Sequence, residues 1–214
     1  MNAVLIPLLL PLLAAALVQI FGRLNMPNVR DGVHTLIAVI TFIFVCRLIP
    51  DVVAVSEGVA GATLPSFVLA EMFPGLSVAW KVEPLGLLFA LVASGLWIPT
   101  SVYAYGYMRG HHEHNQTRFF TCFALAIGFA IGVAFSENLL TLFAFYEALT
   151  FSTYPIVTHH QNAKSRRAGR IYMGILVSTS VTLLLFAIIS VWYFTGNVSF
   201  SNGGILSDAG LEDW

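Results

Sequence analysis

Apolar residues in this chain come in long runs separated by short polar stretches. A membrane-crossing helix needs about 20 mostly apolar residues. Six runs approach or exceed that length: Val4–Phe21, Val33–Ile49, Leu85–Tyr107, Phe119–Phe135, Leu139–Val157 and Ile171–Phe194. Inside lipid, backbone polar groups must be satisfied within the segment, so each run is expected to be helical. The pattern predicts an all-α polytopic membrane protein with about six transmembrane helices. Ser136-Glu137-Asn138 separates the fourth and fifth runs and predicts a very tight hairpin. Pro99 predicts a kink in the third, because proline removes a backbone donor and crowds the preceding turn. Pro155 predicts either a break near the end of the fifth or its plain end. Between Pro50 and Glu83 a weaker apolar piece, Leu64–Trp80, is interrupted by Pro65, Pro74 and Gly75. It predicts a short hairpin or re-entrant surface element, not a span. The chain reads as one membrane domain, 1–214. Residues 1–83 hold two helices and an external loop, 84–196 the next four helices, and 197–214 an external tail.

Composition agrees with a membrane protein. Hydrophobic residues make up 57% and charged residues 10%, against about a quarter charged in soluble domains. The net charge is −1 and no basic, aromatic-interleaved patch exists, so nucleic acid is not an expected partner. The lipid bilayer is. Met1-Asn2-Ala3 carries no Lys or Arg, so the first run reads as a retained span and not a signal peptide. The loops after spans one, three and five hold Arg23, Arg30, Arg109, Arg118, Lys164, Arg166, Arg167 and Arg170. The opposite side holds Lys81 and, at a span end, Arg47, with Asp51, Glu57, Glu71, Glu83, Asp208, Glu212 and Asp213. Basic loops stay in the cytoplasm. The expected placement is a bacterial inner membrane with the N-terminus outside. Cys46 and Cys122 lie in apolar runs and read as small fillers.

Glu147 is the most informative residue. It stands eight residues from Leu139 and ten from Val157, roughly 12–15 Å from either helix end. A lone acid at the centre of a membrane helix costs at least roughly 2.5–3.5 kcal/mol, so such acids face a protein interior, a hydrated cavity or a cation. Burial raises a carboxyl pKa and a neighbouring cation lowers it, which makes the position a proton-handling candidate. The bland alternative is a protonated Glu bonded to a neighbouring helix as packing glue. Thr150 and Tyr154 lie three and seven positions on and share its face. No span of this chain has a Lys at its centre, so a cationic partner must come from other sequence.

Other polar groups are weaker candidates. His111-His112-Glu113-His114 matches no metal-site spacing and reads as a solvated loop. His159 and His160 open the other basic loop and are candidates for proton exchange near a cytoplasmic entry, against a reading as interfacial loop histidines. Arg166, Arg167 and Arg170 most simply serve topology. Gly128 and Gly132 form G-x-x-x-G, a close-packing signal. Ser178, Thr179, Ser180 and Thr182 either line a hydrated path or bond back to their own helix. The sequence contains no nucleophile–base arrangement, phosphate loop or dinucleotide fingerprint. Neither an enzyme site, a cofactor nor a metal is expected.

Three stretches carry a resemblance: VEPLGLLFALVASGLWIPTSVYAYGYMRG, RFFTCFALAIGFAIGVAFSENLLTLFAFYEALTFSTYPIVTHH and SRRAGRIYMGIL. With FYEALTFSTYP as the specific core, they resemble the antiporter-like membrane subunits of Mrp-type cation/proton antiporters, respiratory complex I and membrane-bound hydrogenases, nearest to the D-type Mrp protein. The resemblance covers Val82 to Gly196 and reaches the earlier helices by topology. It implies that Glu147 is the fifth-helix acid that pairs with a seventh-helix lysine for proton transfer. Glu83 matches an acid opening the third helix, with a structural role, and the hydroxyl-rich sixth helix one packed beside the ion path. It further implies a fold of about fourteen helices in two inverted repeats, of which this sequence holds the N-terminal part. The expectation is a subunit of a Na+/proton antiporter whose partner subunits include one supplying the Lys-bearing helices. The alternatives are a proton-pumping arm subunit of a redox complex and a truncated, non-transporting structural fragment.

Overall fold

The computed structural model describes residues 3–201 and 203–206. The runs fold into α1 (Leu5–Arg23), α2 (Pro27–Cys46), α3 (Ile49–Ser56), α4 (Pro84–Gly110), α5 (Gln116–Ala134), α6 (Leu139–Val157), α7 (Ala163–Thr179) and α8 (Phe186–Thr195). A π-helical segment, Ser180–Leu185, joins α7 to α8, so the sixth span is one continuous helix from Ala163 to Thr195. Five helical stretches are long and apolar enough to cross a membrane: α1, α2 with α3, α4, α5 and α7 through α8. α6 matches α1 and α5 in length, at 19 residues. Tyr146, Glu147, Thr150, Ser152, Thr153 and Tyr154 make it more polar than they are.

Two expectations need correction. The second helix begins at Pro27, six residues before the apolar run, because proline suits the first helical turn and Arg30 is neutralised by Asp31 inside the fold. Arg30 is therefore a buried helix residue and not a loop charge. Of the two readings of Pro155, the plain end holds: it lies inside α6, two residues before the helix ends at Val157. A proline only two residues from the helix end removes one bond of the last turns and leaves the rest intact.

The interrupted stretch after α3 is a β-hairpin, as its turn residues suggested. β1 (Ser66–Phe73) pairs antiparallel with β2 (Leu76–Lys81), Phe67 opposite Trp80 and Phe73 opposite Leu76. Gly75 turns the chain at φ +76°. A Cβ there would also stand 2.0 Å from the Gly196 carbonyl oxygen. Trp80 and Ala79 of β2 are buried, whereas β1 is almost wholly exposed. Glu83 opens α4 and pairs with Lys81 at 3.3 Å.

α1 packs against α2 and α5, α2 against α4, α5 against α6, and α6 against α7. The core is layered along the bundle. Val4, Leu8, Val45, Trp80, Ile131 and Phe135 fill the hairpin end. Ala14, Ala15, Ile37, Ala38, Trp97 and Ala124 fill the middle, and Val18, Ala104, Met108 and Phe120 the far end. The small residues of the middle layer bring backbones close, as membrane packing favours. Gly128 faces Pro11 and Leu12 of α1, and Gly132 faces Phe145 of α6, so the two glycines serve two different neighbours.

Candidate proton-handling site

α6 is anchored at its start. The Asn138 side chain accepts from the Thr141 amide at 2.8 Å and donates to the Ser77 carbonyl at 2.9 Å. Thr141 Oγ1 accepts from the Ala79 amide at 2.9 Å. Both residues are buried, so hairpin and helix form one polar joint. Residues 135–138 make the tight connection expected between the fourth and fifth spans, with bridges Trp80–Ser136 and Asn138–Ser199. Two residues before Glu147, Phe145 seats its ring on Gly132 and edge-on to Trp80, with centroids 5.3 Å apart.

Glu147 is half-buried on this anchored helix. Its Oε1 is fully enclosed and has no hydrogen-bond partner among the described residues. The hydroxyls nearest in sequence are committed elsewhere. Thr150 donates to the Tyr146 carbonyl at 3.0 Å, and Ser152 to the Leu149 carbonyl at 2.7 Å. Thr153 donates to the Thr150 carbonyl at 2.9 Å and lies 3.1 Å from the Tyr172 hydroxyl of α7. An enclosed carboxyl oxygen without a donor is costly to bury and leaves a hydrogen-bonding position open to a group from outside the described residues.

Tyr154 and Thr158 continue the Glu147 stripe to the end of α6, where Gly169 lets α7 close on them. Beyond lie His159 and His160. The structure brings both to Glu113 of the α4–α5 loop, with Nε2 of His159 at 3.7 Å and Nδ1 of His160 at 3.9 Å from its Oε2. Arg118 donates to the His159 carbonyl at 2.8 Å. Burial and the Arg118 charge hold the His159 imidazole below its usual 6.5, against the opposing pull of Glu113. Ser178 and Thr182 lie instead on the exposed face of the sixth span, and Thr182 donates to the Ser178 carbonyl. Thr179 and Ser180 likewise bond back to carbonyls of their own helix.

A second polar group inside the helices was not anticipated from the sequence. Arg30, Asp31 and His34 of α2 are all buried. Arg30 Nε lies 2.7 Å from Asp31 Oδ1, and the other Asp31 oxygen accepts from Arg109. Arg30 also donates to Thr117 at 3.0 Å and stacks over Phe120 at 5.2 Å. His34 Nδ1 shares a hydrogen bond of 2.7 Å with the Tyr105 hydroxyl. Its other nitrogen has no partner among the described residues, and Trp97, Phe120 and Phe123 wall the ring. The readable signal was the i, i+4 spacing of Arg30 and His34 directly after Pro27, a helix start with one polar face. Among the described residues no group of three or more His, Cys, Asp or Glu is placed to hold a metal ion.

The family described as NADH:quinone oxidoreductase/Mrp antiporter, TM, matches residues 136–211, the stretch that contains α6 and the sixth span. A Na(+)/H(+) antiporter subunit A1 of Staphylococcus aureus (strain bovine RF122 / ET3-1) is 27% identical over 158 residues, 73% of this chain. In sequence and in fold the chain is similar to the antiporter-like membrane subunits. The same A1 subunit from strain JH9 is equally similar, at 27% over 158 residues. The chain spans 18% of the length of these curated relatives. Among solved structures, a chain of the Mrp complex from Dietzia sp. DQ12-45-1b superposes with a TM-score of 0.71 at 15% identity, over 96% of this chain and 21% of that one. A chain of the archaeal membrane-bound sulfane sulfur reductase superposes with a TM-score of 0.75 at 14% identity, over 93% of this chain and 39% of that one. At such identities the likeness is one of fold. The antiporter-like family consists of multi-pass membrane subunits, and the apolar helices of this chain agree with that.

Proposed function

We propose that this chain works in a multi-subunit Na+/proton antiporter of a bacterial inner membrane, N-terminus outside, with Glu147 as its proton-handling group. One observation carries the reading: a mid-helix carboxyl with one oxygen enclosed and undonated, on a helix anchored at its start. An ionisable group at that depth in a membrane helix is tolerated when it faces a protein interior, a hydrated cavity or a cation, and marks an ion or proton path. No span of the chain carries a Lys at its centre. The cation therefore comes from helices outside these 214 residues, on a partner subunit or on further sequence of the kind the longer relatives contain. As that cation gains and loses charge, Glu147 loses and gains a proton, and the two titrate as a coupled pair. Thr150 and Tyr154 share the face of Glu147 and would support transfer toward the end of α6. There His159 and His160, gathered by Glu113, would exchange protons with water. Ser178 and Thr182 would serve only from the outer face of the sixth span, against a further helix.

The test is Na+-dependent proton movement in everted membrane vesicles from cells carrying Glu147→Gln in the intact complex. Glutamine keeps the shape and cannot release a proton. The expected result is loss of Na+-driven pH recovery with the complex still co-purifying. Parental transport by the variant would overturn the assignment and favour a structural fragment. A second reading, a proton-pumping arm of a redox complex, draws on the fold likeness to the sulfane sulfur reductase chain. Mass spectrometry of the complex purified through this chain separates the two. Redox subunits with cluster-binding cysteines favour the pump, and their absence the antiporter.

A further inference from the structure

A cavity of about 680 Å³ opens where α6 ends and α7 begins, lined by Tyr154, Thr158, Gln161, Ala163, Arg166 and Arg170. Among the described residues its cations have no counter-charge. Neither Arg166 nor Arg170 makes an ion pair or side-chain hydrogen bond among the described residues. From Thr158 to Tyr172 the sequence holds Lys164, Arg166, Arg167 and Arg170 and no acid. The nearest acid in an adjoining loop, Glu113, is occupied by His159 and His160. We propose that this cavity is a phosphate site, filled by the phosphate of an anionic phospholipid headgroup or by free phosphate.

The geometry suits phosphate. Arg166 and Arg170 stand one helical turn apart on a single face of α7. Two guanidinium forks on one wall can grip the oxygens of one phosphate, each in a bidentate manner. The α7 N-terminus is not the recognition element, since Asn162 already caps it by accepting from the Ser165 amide at 2.7 Å. The back wall is rigid. Gly169 is buried against Thr158 and Tyr154, and the Gln161 side chain is tied to the Thr158 carbonyl at 2.8 Å.

Depth favours the lipid. Directly after Arg170 the helix turns apolar, with Ile171 and Ile175 exposed by 53% and 59%. On the arginine face itself, Met173, Gly174 and Val177 follow in the next two turns, and a Cβ on Gly174 would meet nothing within 4 Å. The arginines thus sit where a membrane helix leaves the headgroup layer, above an open apolar track of the kind an acyl chain follows. Basic pockets between membrane helices at this level bind anionic headgroups. The inference is independent of proton transfer at Glu147.

The test is native mass spectrometry of the purified full chain in detergent with dioleoylphosphatidylglycerol, dioleoylphosphatidylcholine or inorganic phosphate. Preferential retention of phosphatidylglycerol, reduced about tenfold or more by Arg166→Gln/Arg170→Gln, is the expected result, two surface arginines being enough for a change of that order. Arg167→Gln, outside the cavity, should retain lipid like the parent. Selective binding of inorganic phosphate without lipid preference, lost in the same double variant, would identify free phosphate as the occupant. If the double variant does not fold, Arg170→Gln alone carries the comparison. Lipid and phosphate binding equal to the parent in the folded variant would overturn the site.

Discussion

Phe145 of α6 lies so close to Gly132 of α5 that a Cβ on the glycine would fall 2.0 Å from the ring's Cδ1. The ring cannot retreat freely, because Trp80 and Phe129 hold it at 5.3 and 6.1 Å between centroids. Gly132→Ala is therefore expected to force α6 away from α5 and to cost about 1–3 kcal/mol, the usual range for overpacking. Gly174→Ala, at an open helical position, should be neutral or stabilising by about 0.5–1 kcal/mol. Equilibrium unfolding of both variants in detergent checks the contrast. Equal stabilities would mean that the α5–α6 contact is looser than the geometry indicates.

Asp31 serves two arginines. It is buried beside Arg30, and its second oxygen accepts from Arg109, whose side chain is 44% exposed. Removing one partner of a buried pair leaves an uncompensated charge, at about 3–5 kcal/mol. Asp31→Ala should approach that range, because the Arg30 guanidinium stays enclosed. Arg109→Gln should cost no more than about 1 kcal/mol, as expected of a partly solvated partner. The same unfolding measurement tests the order, and a larger loss for Arg109→Gln would sink it.

The contrast between Glu147 and Asp31 shows what was legible in the sequence. Glu147 interrupts an apolar run, so the run itself singles it out. Asp31 and Arg30 stand just before their run, where charges read as loop. Only the tertiary pairing with Arg109, 78 positions away, shows that the helix starts earlier and buries them. The hairpin was signalled by Pro65, Pro74 and Gly75 because turn residues act locally. The outward face of Ser178 and Thr182 was not signalled, since a hydroxyl bonded to its own helix suits either lipid or a path. The π segment at Ser180–Leu185 left no mark in the hydrophobic pattern for a similar reason: one extra residue per turn leaves the run apolar.

His159 gives the chain a pH response. Its side chain is only 12% exposed, and burial with Arg118 lowers its pKa below 6.5. The unfolded chain therefore takes up a proton before the folded one does. The stability contribution is complete above about pH 6.5 and is lost as pH falls through the folded value. His159→Gln should flatten the fall in stability below pH 6.5 relative to the parent. Glu113→Gln removes the group that pulls the other way, so it should depress the His159 value further and extend the acid-side loss to lower pH. Thermal unfolding in detergent across pH 5–8 reads both. A parental profile in His159→Gln would assign the pH response to other groups.

The α6–α7 contact rests on Gly169, where a Cβ would stand 2.2 Å from Thr158 Cγ2 and 3.0 Å from Tyr154 Cε2. Thr158 is 1% exposed, and its hydroxyl donates to the Tyr154 carbonyl at 2.9 Å, so its methyl has no space to rotate into. Gly169→Ala should push α7 outward and destabilise by about 1–3 kcal/mol. The clash is with one methyl, so Thr158→Ser should relieve it: serine drops Cγ2 and keeps the hydroxyl bond. The double variant should recover part of the lost stability, a favourable coupling of roughly 0.5 kcal/mol or more in a double-mutant cycle. Simple additivity would show that Thr158 is not what limits the approach of α7. On the proposed role of Glu147, whose face Tyr154 shares, Na+-dependent proton movement in vesicles should fall in Gly169→Ala and recover together with stability in the double variant.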